Sequence, residues 1–258
     1  MKLSLVVCSY NQARYLRQAL ASIVGQRGVS RDELELIVID GGSTDGSIEI
    51  IREFEPHLTY WMSEPDQGQT DALRKGFDLA TGEVQGWLCS DDELEPDAVR
   101  TVLDYFRARP GVYWVYGDAC FIDEQGRTLR PKKEIPFNWF IWLHDYNYVP
   151  QPSTFWRASL YKQTGGLDVS LNVSMDADLW ARFAEVASPK KIPAVLSRVR
   201  LQPEQKTQKL KAQGIRERNA IKSRYGVRHD SVVWRQSAFL LARTMRIGWK
   251  LSTGRYWQ

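Results

Sequence analysis

The chain has 258 residues, 43% hydrophobic and 26% charged, enough for one large α/β domain with an extension; this composition excludes a disordered chain. Its three cysteines, Cys8, Cys89 and Cys120, show no CxxC or Cys/His metal spacing, which excludes a disulfide framework and makes a reducing compartment the expectation. The net charge of +4 is uneven: from Lys206 onward 13 Lys and Arg face only Glu217 and Asp230, so the preceding part is acidic and the basic tail needs its own explanation.

The opening apolar run is too short for a signal peptide and reads as a strand over Leu3–Ser9. No run approaches the roughly 20 apolar residues that span a bilayer. Residues 12–24 place Leu16, Ala19, Leu20 and Ile23 at helical spacing. Residues 34–39 are a second strand, whose continuous Leu/Ile/Val character predicts burial on both faces. A helix follows over 45–54 with Ser43 or Thr44 near its cap, then a strand over 58–62. Residues 67–79 read as a helix stopped by Thr81-Gly82, Val84–Cys89 as a fourth strand, and Pro96 as the start of a helix to 107. The second half is less regular. Residues 113–122 read as a strand-pair region and 137–148 as an aromatic-rich segment. Strand 152–156 and helix Ala158–Gln163 follow, closed by Gly165-Gly166, then a helix over 176–187 and a strand over 191–200. Helices dominate from Glu204.

Strand–helix repeats of this length predict an α/β fold, a mostly parallel sheet with helices on both faces, and such sheets bind ligands beyond the carboxyl ends of their strands. Those ends read Ser9-Tyr10-Asn11, Asp40-Gly41-Gly42-Ser43, Ser63-Glu64-Pro65-Asp66-Gln67-Gly68 and Ser90-Asp91-Asp92, all polar, and they should meet on one rim. Adjacent carboxylates such as Asp91 and Asp92 repel, and at the end of an apolar strand they fit a cation. Oxygen ligands suit Mg²⁺ or Mn²⁺ bridging to phosphates. Solvated acids capping the helix at Pro96 are the alternative. The Asp40–Ser47 stretch lacks P-loop and dinucleotide-fold spacing; it reads either as a close-approach loop or as an ordinary βα turn.

Taken in register, Val6-Val7-Cys8-Ser9-Tyr10-Asn11, Glu35 through Ser47 with Asp40-Gly41-Gly42-Ser43-Thr44-Asp45-Gly46-Ser47, Ser63 through Gly68, Ala80-Thr81-Gly82-Glu83 and Trp87-Leu88-Cys89-Ser90-Asp91-Asp92 closely resemble family 2 glycosyltransferases of the GT-A fold, over residues 3–200 or so. The resemblance implies a single Rossmann-like sheet in a domain over 1–203. Residues 1–95 form its nucleotide-sugar half, 96–203 its acceptor half, and 204–258 a basic helical extension. It implies inverting transfer from a nucleotide sugar (UDP-, GDP- or dTDP-linked) to a saccharide or lipid-linked acceptor, in polysaccharide or cell-surface glycan synthesis.

By the same resemblance Ser9, Tyr10, Asn11 and Asp40 correspond to the pocket for the donor base, and Glu64, Asp66, Gly68 and Asp71 line the nucleotide. Asp92 corresponds to the metal-binding acid and Asp91 to a ribose or sugar contact, with Ser90 replacing the first acid of the triplet. Inverting transfer needs a carboxylate base. Ser174-Met175-Asp176-Ala177-Asp178-Leu179-Trp180 resembles the segment that carries it, with Asp176 as base and Asp178 its neighbour on the acceptor side. An acidic first helical turn is the plainer reading of those two residues. Gln151 and Trp156 match an acceptor-facing stretch, and Trp87, Trp139, Phe140, Trp142, Tyr146 and Tyr148 are further candidates to stack on sugars, although most aromatics are core. Gln202 stands where relatives often carry a metal-reaching His, so it is a weaker candidate ligand, with Lys206 as a substitute charge.

The stretch 231–250 mixes Trp, Leu and Phe with Arg, as a helix on an anionic membrane surface does; a helix packed on the domain with a solvated basic face is the commoner case. No nucleic-acid reader motif accompanies the charge. The expected location is the cytoplasm, at the inner face of the cell membrane if that helix binds lipid. Nucleotidyl transfer, or nucleotide-sugar binding with lost or reduced catalysis, are the competing functions; the turn after the first strand lacks the glycine-rich triphosphate grip that the former needs.

Overall fold

The computed structural model describes residues 1–227 and 231–254, so Asp230 of the basic tail and the chain end over 255–258 lie outside the described residues. Strands β1 (Leu3–Ser9), β2 (Leu34–Asp40), β3 (Tyr60–Ser63) and β4 (Val84–Cys89) alternate with helices α1 (Ala13–Val24), α2 (Ser47–Phe54) and α3 (Gln69–Leu79). The chain continues through β5 (Glu93–Leu94), α4 (Ala98–Ala108), β6 (Trp114–Ile122), β7 (Thr128–Lys132), α5 (Trp139–His144), β8 (Thr154–Arg157) and α6 (Ala158–Gln163). It closes with α7 (Met175–Val186), β9 (Lys190–Arg200), α8 (Lys206–Lys209), α9 (Lys211–Arg224) and α10 (Val232–Ser252).

The strands form one sheet in the order β3-β2-β1-β4-β8-β6-β9-β5, with β7 on β6. The first four are parallel and β9 is parallel to β6, while β5, β7 and β8 join antiparallel. Because side chains alternate along a strand, Leu3, Leu5 and Val7 of β1 pack on α1, α2 and α4, whereas Val6 and Cys8 pack on the α3 and α7 side. Both faces are covered, as the continuous apolar runs require. Around Trp180, Trp87 and Trp114 stack at 5.6 Å, and Trp156 lies at 5.6 Å.

Some boundaries differ from expectation. Helix α2 is capped at Gly46, φ 97°, and the Asp45 carboxylate, not Ser43 or Thr44, accepts from Ser47 N–H and Ala13 N–H. The strand-pair region is the single long strand β6, and β5 and β7 lie in segments without a strand signal. The helices after residue 203 build onto the domain: Ile221 of α9 joins the Trp-rich core. Helix α10 packs against α5 by its small residues Ala238 and Ala242, while Arg246 pairs with buried Asp145 at 2.6 Å and Lys250 with buried Glu134 at 3.0 Å. Those two basic residues face inward, and Val233, Leu240, Leu241 and Leu251 are exposed. Arg235 and Arg243 stay exposed, so α10 packs on the domain with part of its basic face solvated and part turned inward.

Candidate active site

Register alone brings the four polar strand ends together: Ser9 pairs with Asp40, Asp40 with Ser63, and Cys8 with Cys89. They form the expected rim. The β1 and β2 ends are stitched to each other. Asn11, at φ 51°, accepts from Thr44 N–H at 2.9 Å, and its own N–H donates to Ser43 Oγ at 2.8 Å. Tyr10 is 61% exposed beside this stitch, and Ser9 Oγ is buried without a hydrogen-bond partner among the described residues.

Asp40 is wholly buried. Its carboxylate accepts from Gly42 N–H, Ser43 N–H, Ser43 Oγ–H and Ser63 Oγ–H at 2.6–3.1 Å. Four internal donors make it the residue that shapes the loop, where the expectation was an acceptor for the donor's base. The acid that borders this loop is Asp66: a side chain at Gly41 would lie 2.6 Å from its Oδ2. Asp66 Oδ1 accepts from Gly68 N–H at 2.7 Å, and Gly68 holds φ 115°, which L side chains rarely adopt. Glu64 is tied to Lys75 at 2.9 Å, and Asp71 accepts from Gln67 N–H at 3.1 Å.

The acidic pair sits between β4 and β5. Ligand atoms of Cys89, Asp91 and Asp92 lie within 4.8 Å of one another. Burial, then the Asp91 charge, pushes the Asp92 carboxyl well above the usual range, although Arg200 N–H donates to it at 2.9 Å. A cation would relieve both effects, so the two carboxylates fit a divalent ion. Cys89 is a poorer ligand, because its hydrogen-bonded neighbour Cys8 and its burial push the thiol well up. Beneath the pair lies Arg200, fully buried. It donates to Asp91 O at 2.8 Å, Asp123 O at 2.9 Å, Gln18 Oε1 at 2.7 Å and Glu93 Oε1 at 2.5 Å. This guanidinium fixes the acidic turn, a role absent from the sequence expectation.

Gln202 is in place but turned the other way. Its oxygen accepts from Glu204 N–H at 2.7 Å, so its nitrogen faces Asp91 Oδ2 at 3.1 Å. The amide braces Asp91, and a backbone N–H already engages its oxygen. The cationic group on the rim is Lys206. Its Nζ donates to Gln69 Oε1 at 3.1 Å, and Gln69 Nε2 in turn reaches Cys8 Sγ at 3.5 Å and Cys89 Sγ at 3.3 Å. Burial pulls the Lys206 ammonium down, which an anion would reverse.

The second acidic element is the N-terminus of α7. Asp176 is half-buried and accepts from Asn147 Nδ2 at 2.8 Å; burial raises it to about 6 against the opposing help of backbone N–H groups, Asn147 and Arg218. Asp178, expected on the acceptor side, is buried instead. Arg182 (2.6 Å) and Arg224 grip its carboxylate, so it locks α7 to α9. The turn before α7 hangs on Glu217 of α9, whose carboxylate accepts from Asn172, Val173 and Ser174 N–H at 3.1, 2.9 and 2.8 Å. Burial opposes this charge, but the three N–H donors outweigh it and hold the carboxyl below its usual range. The same turn meets the donor-side loop: Thr70 Oγ donates to Leu171 O at 2.5 Å, and a side chain at Gly68 would lie 3.3 Å from Asn172 Oδ1. One sequence signal could have found Glu217, a lone acid in a basic helix.

The acceptor-side expectations divide. Gln151 Nε2 donates to Trp87 O at 2.8 Å, at the end of β4. Trp156 is wholly buried, 5.5 Å from Phe77 and from Trp87, and faces no solvent. Trp87, Trp142 and Tyr148 are buried too, whereas Trp139 and Phe140 are half-buried and Tyr146 is 37% exposed.

A family model described as Glycosyl transferase family 2 matches residues 4–164. A protein described as an uncharacterized glycosyltransferase of Mycobacterium tuberculosis is 31% identical over 194 residues, 75% of this chain and 72% of the relative. Chondroitin synthase of Escherichia coli is 28% identical over 195 residues, 73% of this chain but 27% of the synthase. Among solved structures, residues 1–349 of TarS from S. aureus, in complex with UDP-GlcNAc, share the fold at TM-score 0.66 and 16% identity, over 80% of this chain and 60% of that one. Mannosyltransferase PcManGT from Pyrobaculum calidifontis, in complex with GDP-Man and Mn²⁺, shares it at TM-score 0.67 and 19% identity, over 96% and 75%.

Proposed function

We propose that this chain, which belongs to glycosyl transferase family 2, moves a sugar from a nucleoside diphosphate sugar to a hydroxyl of a saccharide or lipid-linked acceptor, with inversion at the anomeric carbon. The observation that carries the reading is Asp176, a half-buried carboxylate raised to about 6 at a helix start whose preceding turn touches the donor-side loop. A base of that strength is ionised at neutral pH and close enough to it to take a proton effectively. Asp176 removes the acceptor proton as the hydroxyl oxygen bonds to the anomeric carbon and the nucleoside diphosphate leaves on the opposite face. Lys206, drawn down by burial, meets the charge that develops on the diphosphate. Asp91 and Asp92 would hold Mg²⁺ or Mn²⁺, which supplies further stabilisation of that charge. The UDP-GlcNAc complex of TarS and the GDP-Man and Mn²⁺ complex of PcManGT support a nucleotide-sugar donor and a divalent ion.

Chondroitin synthase among the relatives supports a glycan product, hence polysaccharide or cell-surface glycan synthesis. The outward apolar face of α10 supports work at the inner face of a membrane, and no helix among the described residues is long and apolar enough to cross one. Gln202 favours one second reading, donor binding with reduced catalysis, because its oxygen is already engaged.

The test supplies UDP-, GDP- and dTDP-sugars with Mg²⁺ or Mn²⁺ and follows nucleoside diphosphate release and the anomeric configuration of the product. Asp176→Asn should keep donor affinity and lose transfer, whereas Asp92→Asn should lose metal-dependent donor binding. Normal transfer by Asp176→Asn, or retained configuration, would sink the assignment; donor binding by the wild type without any transfer would favour the second reading.

A further inference from the structure

Away from the rim, a cavity of about 290 Å³ opens between α5, α9 and α10. Its polar lining includes His144, Lys222, Arg235 and Gln236, and its apolar lining Leu143, Val227 and Phe239. The Lys222 side chain is half-buried and makes no ion pair or hydrogen bond among the described residues. Burial, then Arg218 one turn earlier on α9, draws its ammonium down against the smaller pull of Asp145, so a further anion would stabilise the charged form. The acid in the lining, Asp145, is already neutralised by Arg246 at 2.6 Å. Cations from α9 and α10, interleaved with apolar side chains, match a charged head on an apolar chain.

We propose that this cavity binds a phosphate monoester carried on an apolar chain, with Lys222 and Arg235 on the phosphoryl oxygens and Phe239, Leu143 and Val227 along the first carbons. The cavity shares its walls with the proposed base: the 145–147 segment gives Asp145 to the cavity and Asn147 to Asp176, and the Arg218 charge acts on both Asp176 and Lys222. A phosphate held here therefore belongs to a ligand that reaches toward Asp176. The binding claim stands without the transfer reaction; only the identification with a phosphate-bearing acceptor rests on the proposed function.

The experiment measures binding to the full chain by calorimetry, without donor, so that it reads the cavity and not catalysis. Ligands are inorganic phosphate, decyl phosphate and uncharged decyl maltoside; phosphatidylcholine vesicles with and without phosphatidic acid form a separate arm. Decyl phosphate should bind at least tenfold tighter than inorganic phosphate, and decyl maltoside should not compete. Lys222→Gln should weaken decyl phosphate about tenfold, as expected for loss of a charge-assisted contact, whereas Lys211→Gln, exposed and outside the cavity, should leave it within twofold. Because Lys222 is strained as a cation, Lys222→Gln should melt no lower than the wild type, which keeps the variant interpretable. Phosphatidic acid vesicles bound in a Lys222-dependent way assign the phosphate to a membrane headgroup; decyl phosphate without vesicle binding assigns it to a single lipid substrate. Equal affinity for inorganic and decyl phosphate, or unchanged binding by Lys222→Gln, overturns the proposal.

Discussion

Asp176 gives a prediction that needs no substrate. Its carboxyl stands at about 6, above the 3.8 ordinary for an aspartate, with burial as the main cause. A rise of that size corresponds to roughly 3 kcal/mol. The sign follows from linkage: a carboxyl raised in the native state favours folding while protonated, and this advantage is lost as pH rises through the window from 3.8 to about 6. At pH 8 the native state therefore carries an ionised group it would rather bury neutral. Asp176→Asn removes that cost and keeps an oxygen for the Asn147 amide. Urea unfolding of both proteins should show the variant gaining on the wild type as pH rises from 4.5 to 8, by about 2 kcal/mol of the total. The difference between the two pH values is the quantity to read, because it cancels any pH-independent change in packing. A variant that gains nothing across this window, or loses stability at pH 8, would refute the claim that Asp176 is held in a desolvated site.

Glu217→Ala orphans three backbone N–H groups, which at about 1–3 kcal/mol each should cost roughly 3–9 kcal/mol and speed amide exchange at Val173 and Ser174; unchanged melting and exchange would show that the turn does not depend on it. Glu217→Gln keeps one oxygen and should fall between, with transfer lowered and donor affinity nearly unchanged. Trp156→Phe should lower stability by about 1–3 kcal/mol and leave the acceptor KM alone; a tenfold KM change without a melting shift would mean that Trp156 meets the acceptor after all. Chelation with EDTA should abolish transfer, and Mg²⁺ or Mn²⁺ should restore it; activity that survives chelation would argue against a metal at Asp91 and Asp92.

Much of the donor side was legible because its signals are local. Continuous apolar runs fixed β1, β2 and β4, and parallel pairing in register places Ser9, Asp40, Ser63 and Cys89 in one row. The acceptor side was less legible because its signals are long-range. Nothing near Trp156 in the chain says that Phe77, Trp87 and Trp180 surround it, so a candidate sugar platform was indistinguishable from core. Asp176 and Asp178 look alike in sequence. Their different fates follow from Arg182 and Arg224, which neutralise one, and from Asn147, which merely orients the other.

The sequence alone determined the strand–helix alternation, the polar rim and the family, because each is written in spacing that the backbone obeys locally. Tertiary structure decided which polar groups remain available. Asp40 and Gln202 are consumed by internal hydrogen bonds, α10 turns two of its basic residues inward to Asp145 and Glu134, and Lys206 and Lys222 are left half-buried as cations. The reason is physical: what a charged or polar side chain can offer a ligand depends on the partners and the burial that the fold gives it, and those partners come from residues far away in the chain.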